Sequence, residues 1–279
     1  MADDRIHRAI SADGTEIAGR VHGHGPPLIL VHGAPHDGDI AWEALVPYLT
    51  DGYTCYLPST RGRGLSDDNP DHSPPRLQED VNAFVDSIGE PVCLVSWSAG
   101  VPWALAAAAD SDAVAAVAAY EPTIIPVMRE DDSARRGAMY KQFGAAAAER
   151  RLADAARTFH VFLATDSEMA ALDADYFKRC AAVVPTLLQD VQGAMAYQGP
   201  RFTDREVFGK VTAPVLLLRG QQTQLDTFYT DTVRHVAEHV ADPHVREPLP
   251  GLGHWAPLVA PEPIATELIS FFESVAQLA

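Results

Sequence analysis

The chemistry-bearing stretch of this chain is Val95-Ser96-Trp97-Ser98-Ala99-Gly100, set between the apolar run Pro91 to Val95 and the Ala-rich run Val101 to Ala109. A strand-length apolar run, a Ser with small residues two positions to either side, and then a helix-forming segment is the sequence form of a nucleophile turn. The sizes matter because such a Ser sits on a strained strand-to-helix turn, where a bulky neighbour would meet the backbone. Ser98 is therefore the candidate nucleophile. The same turn directs the N–H groups of the helix start toward developing negative charge.

The elements that must position Ser98 can be read on both sides of it. Ile6 to Ile10 and Thr15 to Val21 alternate around Asp13-Gly14, the pattern of a hairpin. Pro27 to Val31 is apolar throughout, as expected of a strand buried on both faces, and ends in His32-Gly33-Ala34-Pro35. A helix is expected over Trp42 to Leu49, a strand over Tyr53 to Leu57, and a helix over Leu77 to Ile88. Val114 to Tyr120 is the strand after the Ser98 helix, and it stops at Glu121-Pro122. From 123 to 208 the strand rhythm gives way to Ala-rich helical periodicity, too long a stretch for a loop, so it is expected to be a helical cap. The core resumes with Pro214 to Gly220, a helix from Thr227 to Val240, a strand over His244 to Leu249 and a closing helix over Ile264 to Leu278. The alternation predicts an α/β fold: a doubly wound, mostly parallel sheet formed by 1–122 and 209–279, with 123–208 inserted as the cap.

The 279 residues carry 38 acidic and 21 basic side chains, a formal net charge of −17 that argues against nucleic acid or an anionic membrane as partner. No apolar run approaches the ~20 residues needed to span a bilayer. Met1-Ala2-Asp3-Asp4-Arg5 has no basic segment followed by an apolar one, so a cytoplasmic protein is expected. Cys55, Cys93 and Cys180 have no motif spacing. His235 and His239 share a helix face and His22 and His24 lie two apart, but neither pair has the further ligands a zinc site needs, and no metal is expected.

The chain resembles the α/β-hydrolase superfamily over residues 15–275, through His32-Gly33-Ala34-Pro35, Arg61-Gly62-Arg63-Gly64-Leu65-Ser66, Ser96-Trp97-Ser98-Ala99-Gly100, Tyr120-Glu121-Pro122 and Gly251-Leu252-Gly253-His254. The resemblance implies that His254 is the base that takes the Ser98 proton and returns it to the leaving group. It also implies an oxyanion hole made by the backbone N–H groups of Ala34 and Ala99. Many relatives place the acid in a Gly-x-x-Asp pattern, but here the residues are Gly220-Gln221-Gln222-Thr223. Glu121, at the end of the earlier strand, is the better candidate for the acid. Asp226 is the alternative, and its simplest reading is a helix N-cap.

These residues together predict a cofactor-free serine hydrolase acting on a small, hydrophobic ester, thioester, lactone or activated carbon–carbon bond. A biosynthetic lyase, cyclase or acyltransferase, or a non-catalytic binding protein, remains open on the same fold. The partner is a small-molecule substrate, and a homodimer is allowed for. His32 is expected to be structural and His36 could face the pocket. Trp97 is expected to pack in the core, and cap residues such as Met139, Tyr140, Phe143, Phe159, Phe162 and Phe177 could line an apolar lid.

Overall fold

The computed structural model describes residues 5–277. The first four residues, on which part of the leader reading rests, and Leu278 of the expected closing helix lie outside it. Eight strands form one sheet in the order β1-β2-β4-β3-β5-β6-β7-β8. β1 (Arg5–Ile10) and β2 (Glu16–Gly23) make the antiparallel hairpin, and β2 also pairs antiparallel with β4 (Thr54–Pro58). β3 (Pro27–Val31), β4, β5 (Val92–Trp97), β6 (Val114–Tyr120), β7 (Val215–Leu218) and β8 (Pro243–Val245) run parallel.

The continuous apolar strands are explained by cores on both faces of this sheet. Leu28, Leu30, Val95 and Trp97 point to one core, and Ile29, Val31, Leu94 and Val117 to the other. Each fully buried Leu or Val contributes roughly 1.5–3 kcal/mol relative to exposure. The second face is covered by α2 (Pro74–Ile88), α3 (Val101–Asp110) and α10 (Asp226–Ala237). The first is covered by α1 (Gly38–Trp42), α11 (Ala256–Val259) and α12 (Pro261–Ala276).

Between β6 and β7 the chain forms α4 (Glu130–Ala148), α5 (Leu152–Leu163), α6 (Asp166–Ala171), α7 (Ala174–Cys180), α8 (Val184–Ala196) and the short α9 (Arg205–Phe208). Apolar residues of α4, α5, α7 and α8 join the core of the first sheet face, so this insertion packs on the end of the sheet that carries Ser98. No helix among the described residues is long and apolar enough to cross a membrane.

Three sequence expectations differ from the observed elements. The helix over Trp42 to Leu49 is instead α1 followed by a 3-10 turn at Val46–Tyr48. Pro47 has no N–H to continue an α-helical ladder. The strand over His244 to Leu249 shrinks to β8, with one further bridge between Leu249 and Gly220. Asp226 is not an N-cap: it lies inside the first turn of α10, Leu225 holds the cap position, and the Asp226 carboxylate pairs with Arg219 at 2.6 Å.

Candidate active site

Ser98 and Glu121 are brought side by side by strand register. Trp97 is opposite Tyr120 where β5 and β6 pair in parallel, so the next residue of each strand leaves the sheet at the same level. Both adopt left-handed backbone, with φ of 55° at Ser98 and 46° at Glu121. Non-glycine residues take this conformation only where the surroundings compel it. The surroundings here are close: a Cβ on Gly33 would lie 2.7 Å from the Trp97 carbonyl oxygen, and one on Gly100 would lie 2.5 Å from that of His32.

The three predicted side chains form one relay. His254 Nε2 is 3.1 Å from Ser98 Oγ, and His254 Nδ1 is 2.7 Å from Glu121 Oε2. All three residues are buried. A ring nitrogen facing a carboxylate carries the proton, which leaves Nε2 as an acceptor for the Ser98 hydroxyl. Glu121 is itself held, its Oε1 accepting from the Gly220 N–H at 2.9 Å and its Oε2 from Thr223 Oγ1 at 3.2 Å. Thr223 stands where the resemblance led one to look for an Asp, and its hydroxyl orients the carboxylate supplied by the neighbouring strand. Asp226 is not part of this group, and its side chain is 61% exposed.

Three further residues at the site went unnoticed in the sequence. Thr123 Oγ1 lies 3.2 Å from Ser98 Oγ, and its N–H donates to the Ser98 carbonyl. The Tyr229 ring stacks on His254 with centroids 5.1 Å apart and borders the cavity beside Ser98 and Thr123. Burial first, and then the Glu121 charge, hold this phenol well above its ordinary pKa, so it stays protonated. Glu168, from α6, accepts from the Trp255 N–H at 2.7 Å and from the Thr165 N–H at 2.8 Å. From the other side Tyr120 donates to the Gly253 carbonyl at 2.6 Å, so the residues flanking His254 are tied to both the core and the cap. A Thr-x-x-Glu capping box marked Glu168 locally, but nothing in the sequence connects it to a loop 87 positions away.

A cavity of about 980 Å³ opens at Ser98, and Ala34 and Ala99 border it. Met139, Tyr140, Phe159 and Phe162 form part of its wall, whereas Phe143 and Phe177 are buried in the packing behind it. His32 borders the cavity but also accepts the Thr60 N–H at 3.1 Å, and burial lowers its pKa to about 4. Trp97 is fully buried.

The expectation that His36 faces the pocket is corrected, since it lies fully buried between Trp97 and Trp255. Its Nε2 is 2.6 Å from the Tyr176 hydroxyl, which is 2.8 Å from His160 Nε2. His36, His160 and Cys180 are also the one group of such side chains among the described residues placed to share a metal ion, their donor atoms lying within 4.8 Å of one another. Both imidazoles are already engaged by Tyr176. Burial, and for His36 the neighbouring imidazoles, hold both rings neutral, His160 down to about 3. His235 lies in the last turn of α10 and His239 just beyond its end, with ring centroids 4.6 Å apart, and the latter bonds the backbone carbonyl of the former.

Residues 28–267 match the model of the alpha/beta hydrolase family. Among characterised proteins, the chain is 37% identical over 148 residues to a pimeloyl-[acyl-carrier protein] methyl ester esterase of Stenotrophomonas maltophilia, a match covering 52% of this chain and 54% of that one. The chain thus spans about half the length of these curated relatives. Among solved structures, an alpha/beta hydrolase of Sphaerobacter thermophilus superposes with a TM-score of 0.71 at 26% identity, covering 95% of this chain and all of the other. A haloalkane dehalogenase variant of Bradyrhizobium elkanii superposes with a TM-score of 0.72 at 20% identity, covering 99% and 98% of the two chains, a likeness of fold alone. The family match over most of the chain, on a parallel sheet whose strand ends carry the Ser98 turn, means that this chain belongs to the alpha/beta hydrolase family.

Proposed function

We propose that the chain is a cofactor-independent serine hydrolase of carboxylic esters, with Ser98 as nucleophile, His254 as base and acid, and Glu121 as the acid that orients the imidazole. The supporting observation is the continuous relay from Glu121 through His254 to Ser98, which ends at a large and mostly apolar cavity. In this reading Ser98 Oγ attacks the ester carbonyl as His254 Nε2 takes its proton. The N–H groups of Ala34 and Ala99 receive the negative charge of the tetrahedral intermediate. His254 then protonates the departing alcohol, leaving an acyl group on Ser98. Water, activated by the same imidazole, completes the cycle. Glu121 stays ionised throughout and stabilises the imidazolium that forms in each half. The ester bond named in the S. maltophilia relative's activity fits the same steps.

The test is steady-state hydrolysis of p-nitrophenyl esters of increasing acyl length, together with labelling by a fluorophosphonate. Turnover by the wild type and loss of both turnover and label in Ser98→Ala are expected. Absence of turnover on every ester, with an unlabelled Ser98, would remove the proposal.

A further inference from the structure

The charged groups on the cavity wall do not balance. Four charged side chains border it, Arg63, Arg136, Arg201 and Asp190. Arg63 and Asp190 neutralise each other at 2.5 Å, and His72 adds a second partner to Asp190 at 2.7 Å. Arg136 has no carboxylate partner among the described residues, and its half-buried guanidinium lies 4.8 Å from the centroid of the Tyr140 ring, itself part of the wall. Arg201 stands exposed at the same cavity.

This surplus of positive charge occurs in a strongly acidic protein, and the insertion that supplies it is unlike the rest. Residues 123–208 hold 12 acidic and 11 basic side chains, whereas the remainder holds 26 and 10. An anion is therefore repelled by the core but not by the side on which the cavity is roofed. A guanidinium resting on an aromatic ring keeps its in-plane N–H donors available for an oxyanion. Its charge is also felt at the reacting end, where it opposes the effect of burial on the Tyr229 phenol beside Ser98.

We propose that Arg136 forms an anion subsite in the substrate cavity, so that the ester processed at Ser98 carries a carboxylate or phosphate group remote from its scissile carbonyl. This rests on the ester-hydrolase reading for the reaction, but not for the binding. The remaining wall, formed by Met139, Phe159 and Phe162, accommodates the alkyl chain between the two ends.

Binding to Ser98→Ala, which cannot acylate, tests the subsite apart from turnover. Calorimetry would compare monomethyl suberate with methyl octanoate, and 2-phosphoethyl octanoate with 2-hydroxyethyl octanoate. At least one anionic ester is expected to bind about tenfold or more tightly than its neutral counterpart. The pair that responds identifies carboxylate or phosphate. Arg136→Gln in the same background should abolish that ratio, Arg136→Lys should retain part of it, and Lys141→Gln, a change at an exposed position of α4, should leave it intact. Equal affinities for anionic and neutral esters, or a preference that survives Arg136→Gln, would overturn the subsite. Failure of the wild type to hydrolyse any of the four esters would count against the hydrolase reading alone, since the binding ratio stands without turnover.

Discussion

Two histidines in this molecule, His254 and His160, are equally inaccessible to solvent and chemically opposite. His254 has the Glu121 carboxylate at 2.7 Å on one nitrogen and the Ser98 hydroxyl at 3.1 Å on the other. His160 has the Ala156 carbonyl at 2.8 Å and the Tyr176 hydroxyl at 2.8 Å. A carbonyl opposite Nδ1 fixes the proton there, so Tyr176 donates to His160 Nε2 and accepts from His36. The result is a neutral chain joining α5 and α7 to the loop after β3, stacked against Trp255 at 4.3 Å. Burial alone therefore silences an imidazole. In the reaction proposed above, the buried carboxylate beside His254 is what sets that ring apart from His160.

The comparison breaks most severely at Glu121. Glu121→Gln removes the charge while keeping the shape, and kcat for a p-nitrophenyl ester is expected to fall by about 10⁴-fold, as when a triad acid becomes an amide. Asp226→Asn should leave kcat within about twofold. Equal losses in the two variants would deny Glu121 its role.

A smaller effect is expected where the two centres meet. Glu168 ties the residue after His254 to the cap, and Glu168→Ala should lower kcat by roughly 10–100-fold through misplacement of the imidazole. Glu168→Gln, which keeps one acceptor oxygen, should recover part of the loss. A change in KM alone would assign Glu168 to substrate binding.

On the neutral side the currency is stability. Tyr176→Phe strips both imidazoles of their shared partner and should cost about 1–3 kcal/mol in urea denaturation. Acid should do similar damage without mutation. The His160 pKa falls from 6.5 to about 3 on folding, so between these values the ring is neutral in the native state and protonated in the unfolded chain. Stability is then full above about pH 6.5 and lost as the pH falls, by about 2 kcal/mol at pH 5. This share should vanish from the stability profile of His160→Phe.

The smallest effect has the opposite sign. His72, between Asp190 and Asp68 at 2.7 and 2.9 Å, has its pKa raised because those carboxylates outweigh the cost of burial. Its contribution is full below about pH 6.5 and is lost as the pH rises through the folded value. Thermal unfolding of wild type and His72→Gln should therefore converge on the alkaline side. A constant difference across pH 6–9 would mean that the His72 charge contributes nothing.

Much of the core was legible because burial on two faces writes itself as uninterrupted apolar runs. Pro27 to Val31 and Val114 to Tyr120 are of this kind, and both are strands. The Ser98 turn was legible because a strained turn demands small neighbours. The strand over His244 to Leu249 failed because β8 lies at the sheet edge, where only three residues pair and Val245 is exposed. His36, two positions after Ala34, could face the pocket by its place in the chain, yet it is fully buried. Its actual neighbours, Tyr176 and His160, lie 140 and 124 positions away.

The sequence by itself determined the order of most elements, the tight turn at Ser98 and the absence of an Asp three positions after Gly220, since each depends on residues near one another along the chain. Tertiary structure decided that Glu121 and not Asp226 faces His254, because that choice depends on the parallel register pairing Trp97 with Tyr120. It also decided that Thr223 supports Glu121, that Glu168 holds the His254 loop and that Arg136, at the cavity, has no carboxylate partner among the described residues. Hydrogen bonds and charge balance are settled by distances of a few ångströms in space, and the chain reaches those distances only after its distant segments have packed together.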